Sequence, residues 1–515
     1  MSYLIMNNPF SLSRNSAVCL SLIAYFLLSH CQYLFADQHY LNAFNSPIIP
    51  KNAQQNYAAQ VKLPNLGDPS GAIISEQQEY QTGQAFLRVL NAQLPINQDP
   101  LLFEYLQQLT GSLVFNSPLQ KKFFTLIVID NLDFNAFAAP GNIMGVNLGL
   151  LIHANSEDEL ASVIAHEIGH LSQRHYLRNI ERRKNQQIIS WASLIGGLLM
   201  LAGGQPDAGI AAITAGQAAS INNQLKFSRQ DEQEADRVGI DILYHAGLNP
   251  MAAANMFGHM QKIYRYRDDL KQFSFLLTHP LTESRISDAH NQAKSYPLKQ
   301  DRDSFNFHLL KTRTQVLHSQ NPQLMIKHFQ EGVSPFPKAL RYGIALAYLK
   351  SDEISKAKPI INKLYQESPH RVVFIALKAE LLLAENKPKE AVKLLQKHLT
   401  ISPDSFALLY SLAAAQQKAG QMQAAAKTLS NITEQFTHVP IYIWYELAEV
   451  EGLAGNIRAV HEARSQYFIA IGAFKDALRH LQLALKLPAK SQQQQSKVKL
   501  AIKQIDELMK QQKKL

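Results

Sequence analysis

Cysteine is almost missing from this chain of 515 residues: Cys19 and Cys31 are its only two, and both lie inside an apolar N-terminal stretch. Once that stretch is removed, the remainder can form neither a disulfide framework nor a thiolate site. Long hydrophobic runs are missing too. Beyond the N-terminus the longest runs from Trp191 to Gly204, fourteen residues, short of the ~20 that a membrane-spanning helix needs. Acidic residues are sparse in the C-terminal part, where residues 304–515 hold 29 Lys plus Arg against 16 Asp plus Glu, a balance of +13. The whole chain carries +10, so residues 1–303 account for −3 by difference. The basicity therefore belongs to the second half.

The N-terminus bears on what that charge can mean. Arg14 precedes the apolar run Ala17 to Leu28, and Phe35-Ala36-Asp37 offers Ala36 as a cleavage position. Residues 1–36 read as a secretory signal peptide, with an N-terminal extension over 37–74. A lipoprotein site at Leu28-Ser29-His30-Cys31 fits poorly, because His30 stands where a small residue is needed. Export argues against nucleic acid as a partner. Anionic protein surfaces or lipid phosphates are the better targets for the basic half, with solvated helix faces as the plain alternative.

What is present is a chemical motif. His166-Glu167-Ile168-Gly169-His170 is an H-E-x-x-H string, and on a helix its two histidines leave one face and can converge on a single ion. Glu167 is then placed beside the metal as the general base that takes a proton from an attacking water. Ser156 and Glu159 form a capping-box pattern, and Leu160, Val163, Ile164, Ile168 and Leu171 recur at helical spacing. The basic run Arg178, Arg182, Arg183, Lys184 suits the far end of this helix. Gly169 costs about 1 kcal/mol in a helix interior, which makes sense if another element packs closely there.

A third ligand is offered by a second helical stretch, residues 227–243, where Glu232 and Asp236 share a face. Glu232 is the expected metal ligand. Asp236 is the expected partner for the non-metal nitrogen of a ligating histidine. Glu234 competes, but points about 200° away around a regular helix. The metzincin pattern is excluded, since Gln173 and Tyr176 stand where it needs Gly and His. His175 is expected to be an exposed helical side chain, and His153 to have no metal role. His279, ahead of Pro280, is expected at an ordered bend.

Taken together, the HEIGH string, Glu-Gln-Glu-Ala-Asp at 232–236, the THPLTESRI segment at 278–286 and NAFAAPGNIMGVNLGLL at 135–151 resemble the HtpX and CaaX prenyl protease family of zinc metallopeptidases. The likeness is to its soluble periplasmic branch, whose members carry tetratricopeptide repeats. The resemblance implies one zinc ion per subunit, with His166, His170 and Glu232 as ligands, Glu167 as catalytic base and Asp236 as supporting partner. It also implies that His279 can take the fourth position and hold the enzyme latent, closing a site that catalysis needs open. The fold implied is mainly α: a zincin-type (gluzincin) peptidase domain with a small β-sheet over residues 75–290, then a helical repeat solenoid. Expected substrates are unfolded or misassembled outer-membrane proteins in the periplasm of a Gram-negative bacterium. The repeats would dock on the outer-membrane assembly machinery, with peripheral membrane contact a further option. A competing reading makes the protein mainly a periplasmic chaperone or adaptor.

Residues 123–130 read as a buried strand, and residues 142–151 as a second strand interrupted by Gly145. The resemblance implies that this second strand, through Ile143, Met144, Gly145 and Val146, is a sheet edge to which substrate adds as a further strand. The small, apolar stretch 191–220 is expected to form a helical hairpin beside the cleft, as packing, lid or membrane contact. Residues 291–303 read as a linker. Beyond it, over 304–515, Pro369 and Pro403 lie 34 residues apart, and Ala357, Ala391 and Ala425 keep the same interval. That is the tetratricopeptide period, with about four repeats and flanking helices expected.

Overall fold

The computed structural model describes residues 76–183, 227–266, 274–297 and 305–513. The expected signal peptide, the extension 37–74 and the apolar stretch 191–220 lie outside the described residues. Among those described, no helix is long and apolar enough to cross a membrane.

The first part is built from α1 (Glu76–Gln93), α2 (Pro100–Phe115), β1 (Thr125–Ile129), β2 (Ala136–Ala139), β3 (Ile143–Asn147), α3 (Leu148–His153), α4 (Glu157–Ser172), α5 (His175–Arg183), α6 (Arg229–His245), α7 (Met251–Tyr266), α8 (Phe275–Thr278) and α9 (Glu283–Ser295). Helix α9 runs to Ser295, so the polar stretch from 291 begins as a helical turn and not as a linker. The sheet has the order β1-β3-β2, with β3 parallel to β1 and antiparallel to β2. Ile143, Met144, Gly145 and Val146 are therefore in the central strand, paired on both sides, and not at the expected sheet edge. The edge is β2. Sequence reading missed β2 because Ala136-Phe137-Ala138-Ala139 is short and lacks β-branched residues.

Gly145 does not interrupt β3. It faces Phe137 across the antiparallel pair, and a Cβ at Gly145 would come within 2.3 Å of the Phe137 ring. The segment expected as one strand to residue 151 instead turns helical at Leu148.

Helix α4 begins as its sequence dictates: Ser156 Oγ accepts from the Glu159 N–H, while the Glu159 carboxylate reaches back to the Asn155 N–H. It ends at Ser172, because Arg174 takes φ 50° and turns the chain into α5. The basic run thus belongs to a separate helix. Helix α6 crosses α4 closely at two glycines. A Cβ on Gly169 would lie 2.7 Å from the Ala235 carbonyl oxygen, and one on Gly239 would lie 3.1 Å from the His166 nitrogen. Both contacts are with backbone, which cannot give way cheaply, and the approach sets the ligand helices face to face.

The second part consists of paired helices: α10 (Phe305–His318) with α11 (Pro322–Glu331), α12 (Pro337–Lys350) with α13 (Ile354–Glu367), α14 (Val372–Ala384) with α15 (Pro388–Leu399), α16 (Phe406–Lys418) with α17 (Met422–Gln435), α18 (Ile441–Leu453) with α19 (Ile457–Ala470), and α20 (Phe474–Leu485) with α21 (Gln492–Lys513). Ala357, Ala391 and Ala425 are fully buried at equivalent places in successive second helices. A small residue thus recurs wherever the 34-residue period repeats one buried packing environment.

The two parts are joined along much of the array. The Phe103 and Phe406 rings lie 4.9 Å apart. Glu104 on α2 accepts from Ser405 Oγ at 2.9 Å and from the Ala407 N–H at 2.7 Å, so it caps α16 from outside. Asn91 on α1 donates to the Ala470 carbonyl, and Lys311 on α10 to the Ala154 carbonyl that follows α3.

A further tie is a titratable pair, His318 with Asp130. His318 Nε2 lies 2.6 Å from Asp130 Oδ1. The bond to Asp130 raises the His318 pKa against the opposing effect of burial, while Asp130 is lowered because His318 outweighs its own burial. The histidine's contribution is complete below its unfolded pKa of about 6.5 and is lost as pH rises through the raised folded value. Thermal melts of the parent and of His318→Gln should differ most below about pH 6 and converge as the pH rises through the raised folded value. A difference that is flat across this range would remove the pair from the docking energetics.

Candidate metal centre

Four side chains from three separate elements meet in the buried space between α4 and α6. His166 and His170 come from α4, Glu232 from α6, and His279 from the bend after α8, and all four are no more than 5% exposed. Each offers one ligand atom such that all four atoms lie within 4.8 Å of one another. The His170 and His166 Nε2 atoms are 3.0 Å apart, His166 Nε2 and His279 Nδ1 3.4 Å, and His279 Nδ1 and Glu232 Oε1 3.0 Å. Glu232 oxygens stand 3.5 Å and 3.6 Å from His166 Nε2 and His170 Nε2. A tetrahedral ion with bonds near 2.0–2.1 Å needs ligand atoms about 3.3 Å apart, so the donor set fits a small divalent cation. Two or three imidazoles with one carboxylate also suit such a cation chemically.

The surroundings orient these groups. Asp236 Oδ1 lies 2.8 Å from His166 Nδ1, the nitrogen turned away from the cluster. Arg285, which sequence reading missed, donates through Nε and Nη2 to both Asp236 oxygens at 2.7 Å and places Nη1 2.8 Å from Glu232 Oε2. The same Nη1 donates to the Pro280 carbonyl, next to His279. The signal was in the sequence: Arg285 sits in the segment singled out for His279, but a paired arginine has no spacing rule that gives it away.

Glu167 is fully buried. Its Oε2 accepts from the Ala138 N–H of edge strand β2 at 2.9 Å, and its Oε1 stands 3.5 Å from His279 Nε2. Burial pushes the Glu167 carboxyl up, opposed by the nearby His279 and His166. Burial pulls His166 down, but Asp236 and Glu232 outweigh it and hold the imidazole up at about 9. His170 is pushed well down, by burial first and then by His166. Burial alone would raise Glu232, yet His279 and Arg285 hold it well below the usual carboxylate range. A carboxylate and a neutral His170 are the states that a metal requires. At neutral pH a cation must displace the proton of His166, so binding releases acid.

His175 departs from expectation. It is fully buried, with Nδ1 2.9 Å from His170 Nδ1 and Nε2 3.1 Å from Glu234 Oε2. The turn at Arg174 is the reason: helical spacing no longer applies past Ser172, and the chain folds His175 back beneath His170. Glu234, the competing ligand, faces His175 and Arg178 and lies outside the four-residue cluster. His153 is likewise outside it. The Phe227 ring lies 4.1 Å from that of His170 and 5.6 Å from that of His279, an apolar cover over the cluster.

Comparison with known proteins agrees with this architecture. The model of Peptidase family M48 matches residues 100–293, and a tetratricopeptide repeat model matches residues 382–442. The chain is 31% identical over 452 residues to the beta-barrel assembly-enhancing protease of Escherichia coli, covering 87% of this chain and 91% of that protein. A Vibrio cholerae protein is 36% identical over 329 residues, 63% of this chain and 67% of its own length. The mitochondrial metalloendopeptidase OMA1 of Arabidopsis thaliana is 30% identical over 160 residues, 31% of this chain and 30% of that protein.

Proposed function

Because the chain belongs to peptidase family M48, in a group that joins the metallopeptidase to tetratricopeptide repeats, we propose that it is an exported zinc endopeptidase that removes misassembled outer-membrane proteins in the periplasm. The observation that carries this reading is the convergence of His166, His170 and Glu232 beside Glu167. Zinc held by the two histidines and Glu232 would supply a Lewis acid that polarises a peptide carbonyl and lowers the pKa of a water to about 7. Glu167 acts at Oε1, taking the water's proton and passing it to the leaving amine, while the Ala138 N–H keeps the other oxygen fixed. Asp236 orients His166, and Arg285 holds both Asp236 and Glu232.

His279 supplies the latch. With its Nδ1 among the ligand atoms and its Nε2 toward Glu167, it fills the space that substrate and water need. The buried centre favours a resting state in which the protein serves as a chaperone or adaptor until the His279 segment moves. Substrates and site of action follow from the likeness to the E. coli protein, whose name ties it to β-barrel assembly. The balance of +13 over residues 304–515 supports docking of the repeats on an acidic surface of the assembly machinery or on outer-membrane phosphates.

His279→Ala tests the reading. Zinc content should remain one per chain, and cleavage of an unfolded polypeptide should rise at least tenfold, about 1.4 kcal/mol off the barrier. Equal turnover would sink the latch. Absence of chelator-sensitive cleavage in both proteins would sink the peptidase assignment.

A further inference from the structure

Asp236 faces His166, and Arg285 faces Glu232, but His170 is supported by neither carboxylate nor guanidinium. Its Nε2 points into the cluster, and its Nδ1 meets Nδ1 of His175 at 2.9 Å. His175 Nε2 lies 3.1 Å from Glu234 Oε2, which in turn accepts from Arg178 Nη2 at 2.9 Å. Resting on the assignment of His170 as a metal ligand, we propose that His175 is a positioning residue for the metal centre. It is the middle of a relay from His170 through Glu234 to Arg178 that fixes the tautomer and ring angle of His170.

The proton count leaves a single arrangement. A ligating imidazole offers its Nε2 lone pair, so the His170 proton sits on Nδ1. Two facing Nδ1 atoms share one proton, which makes His175 Nδ1 the acceptor and puts the His175 proton on Nε2. Glu234 accepts that proton's hydrogen bond, and the Arg178 guanidinium keeps the carboxylate ionised and aimed. Every nitrogen of both rings then has a partner. Placing any proton otherwise leaves two donors or two lone pairs facing each other inside the protein, a cost of about 1–3 kcal/mol.

His175, Asp231 and Glu234 also lie close enough together to hold an ion of their own. One contact argues against that use: Arg178 already occupies the Glu234 oxygen that faces His175. Because a neutral imidazole stands between His170 Nδ1 and the Glu234 carboxylate, His170 receives less negative charge at Nδ1 than His166 does from Asp236. The two histidine ligands are thereby unequal donors, with His170 the weaker.

The test is a zinc titration of the full metal-free chain against a chromophoric chelator, for the parent, His175→Phe, His175→Gln and Glu234→Gln. The cobalt(II) absorption spectrum is recorded for each. His175→Phe should weaken zinc about 10- to 100-fold and alter the cobalt bands. His175→Gln, whose amide oxygen can accept from His170, should recover part of the affinity. The melting temperature of the metal-free protein should not follow this order, which separates positioning from a merely structural role. Glu234→Gln, at a half-exposed residue, should show a smaller loss and keeps the test available if His175→Phe fails to fold. Unchanged affinity and spectrum in the variants would overturn the relay. So would a parent that binds two zinc ions and loses one on changing His175. Glu232→Ala is the control: if it leaves zinc binding intact, the ligand assignment falls rather than the relay.

Discussion

Glu167→Gln should retain one zinc per chain and lose about 10²- to 10⁴-fold of endopeptidase turnover. The substitution preserves size, and the amide oxygen of Gln can still accept from the Ala138 N–H, so β2 and α4 keep their contact. What disappears is the acceptor at Oε1, the atom placed toward His279 Nε2 and the metal cluster. Metal analysis together with cleavage of an unfolded polypeptide checks it, on the His279→Ala background so that the latch does not mask the chemistry. Retained turnover would move the base elsewhere. Full complementation of an envelope defect by Glu167→Gln would instead make the adaptor role the principal one.

The second large effect is on stability. Arg313→Ala should cost about 3–5 kcal/mol, because removing one member of a buried ionic group leaves the others unpaired. Arg313 on α10 donates to Asp99 at 2.6 Å, to Glu380 at 2.9 Å and to the Tyr342 hydroxyl at 3.0 Å. Asp99 also caps α2 through the Leu101 and Leu102 N–H groups, so one carboxylate ties a peptidase helix to the repeats. Asp99 is shielded from water, whereas Glu380 can rehydrate, which places the expected loss toward the lower end. Urea titration followed by circular dichroism measures it. A loss below about 1 kcal/mol, the scale of an exposed pair, would mean that the group is solvated in solution.

The parts of the site that follow a helical repeat were legible in the sequence. His166, Glu167 and His170 share one helix, Glu232 and Asp236 another, and spacing alone predicts which of them face the same way. The buried alanines at 357, 391 and 425 are legible for the same reason, since a period of 34 residues repeats one packing environment. Whatever depends on where the chain turns was not. His175 was misplaced because Arg174 adopts a left-handed conformation that no residue type at that position announces. Ile143 to Val146 were assigned to an edge because strand order is a property of the whole sheet, and the short strand Ala136–Ala139 that covers them carries little signal of its own. Arg285 and the ties between the two parts join residues distant in sequence, and pairing of that kind leaves no periodic trace.

The cap that Glu104 places on α16 has a consequence for how this protein can change. A free-standing helical array is modular: a unit can be gained or lost with little penalty, because each touches only its neighbours. Here Asn91, Asp99 and Glu104 address particular residues at Ala470, Arg313 and Ser405, fixed addresses along the array. Deleting one repeat between α10 and α16 would shift every later address by a full unit and uncap the helix that Glu104 now serves. The array is held to one length by its partner, so variation in this protein should accumulate beyond the start of α20, where Arg88 on α1 lies 5.3 Å from the centroid of the Phe474 ring.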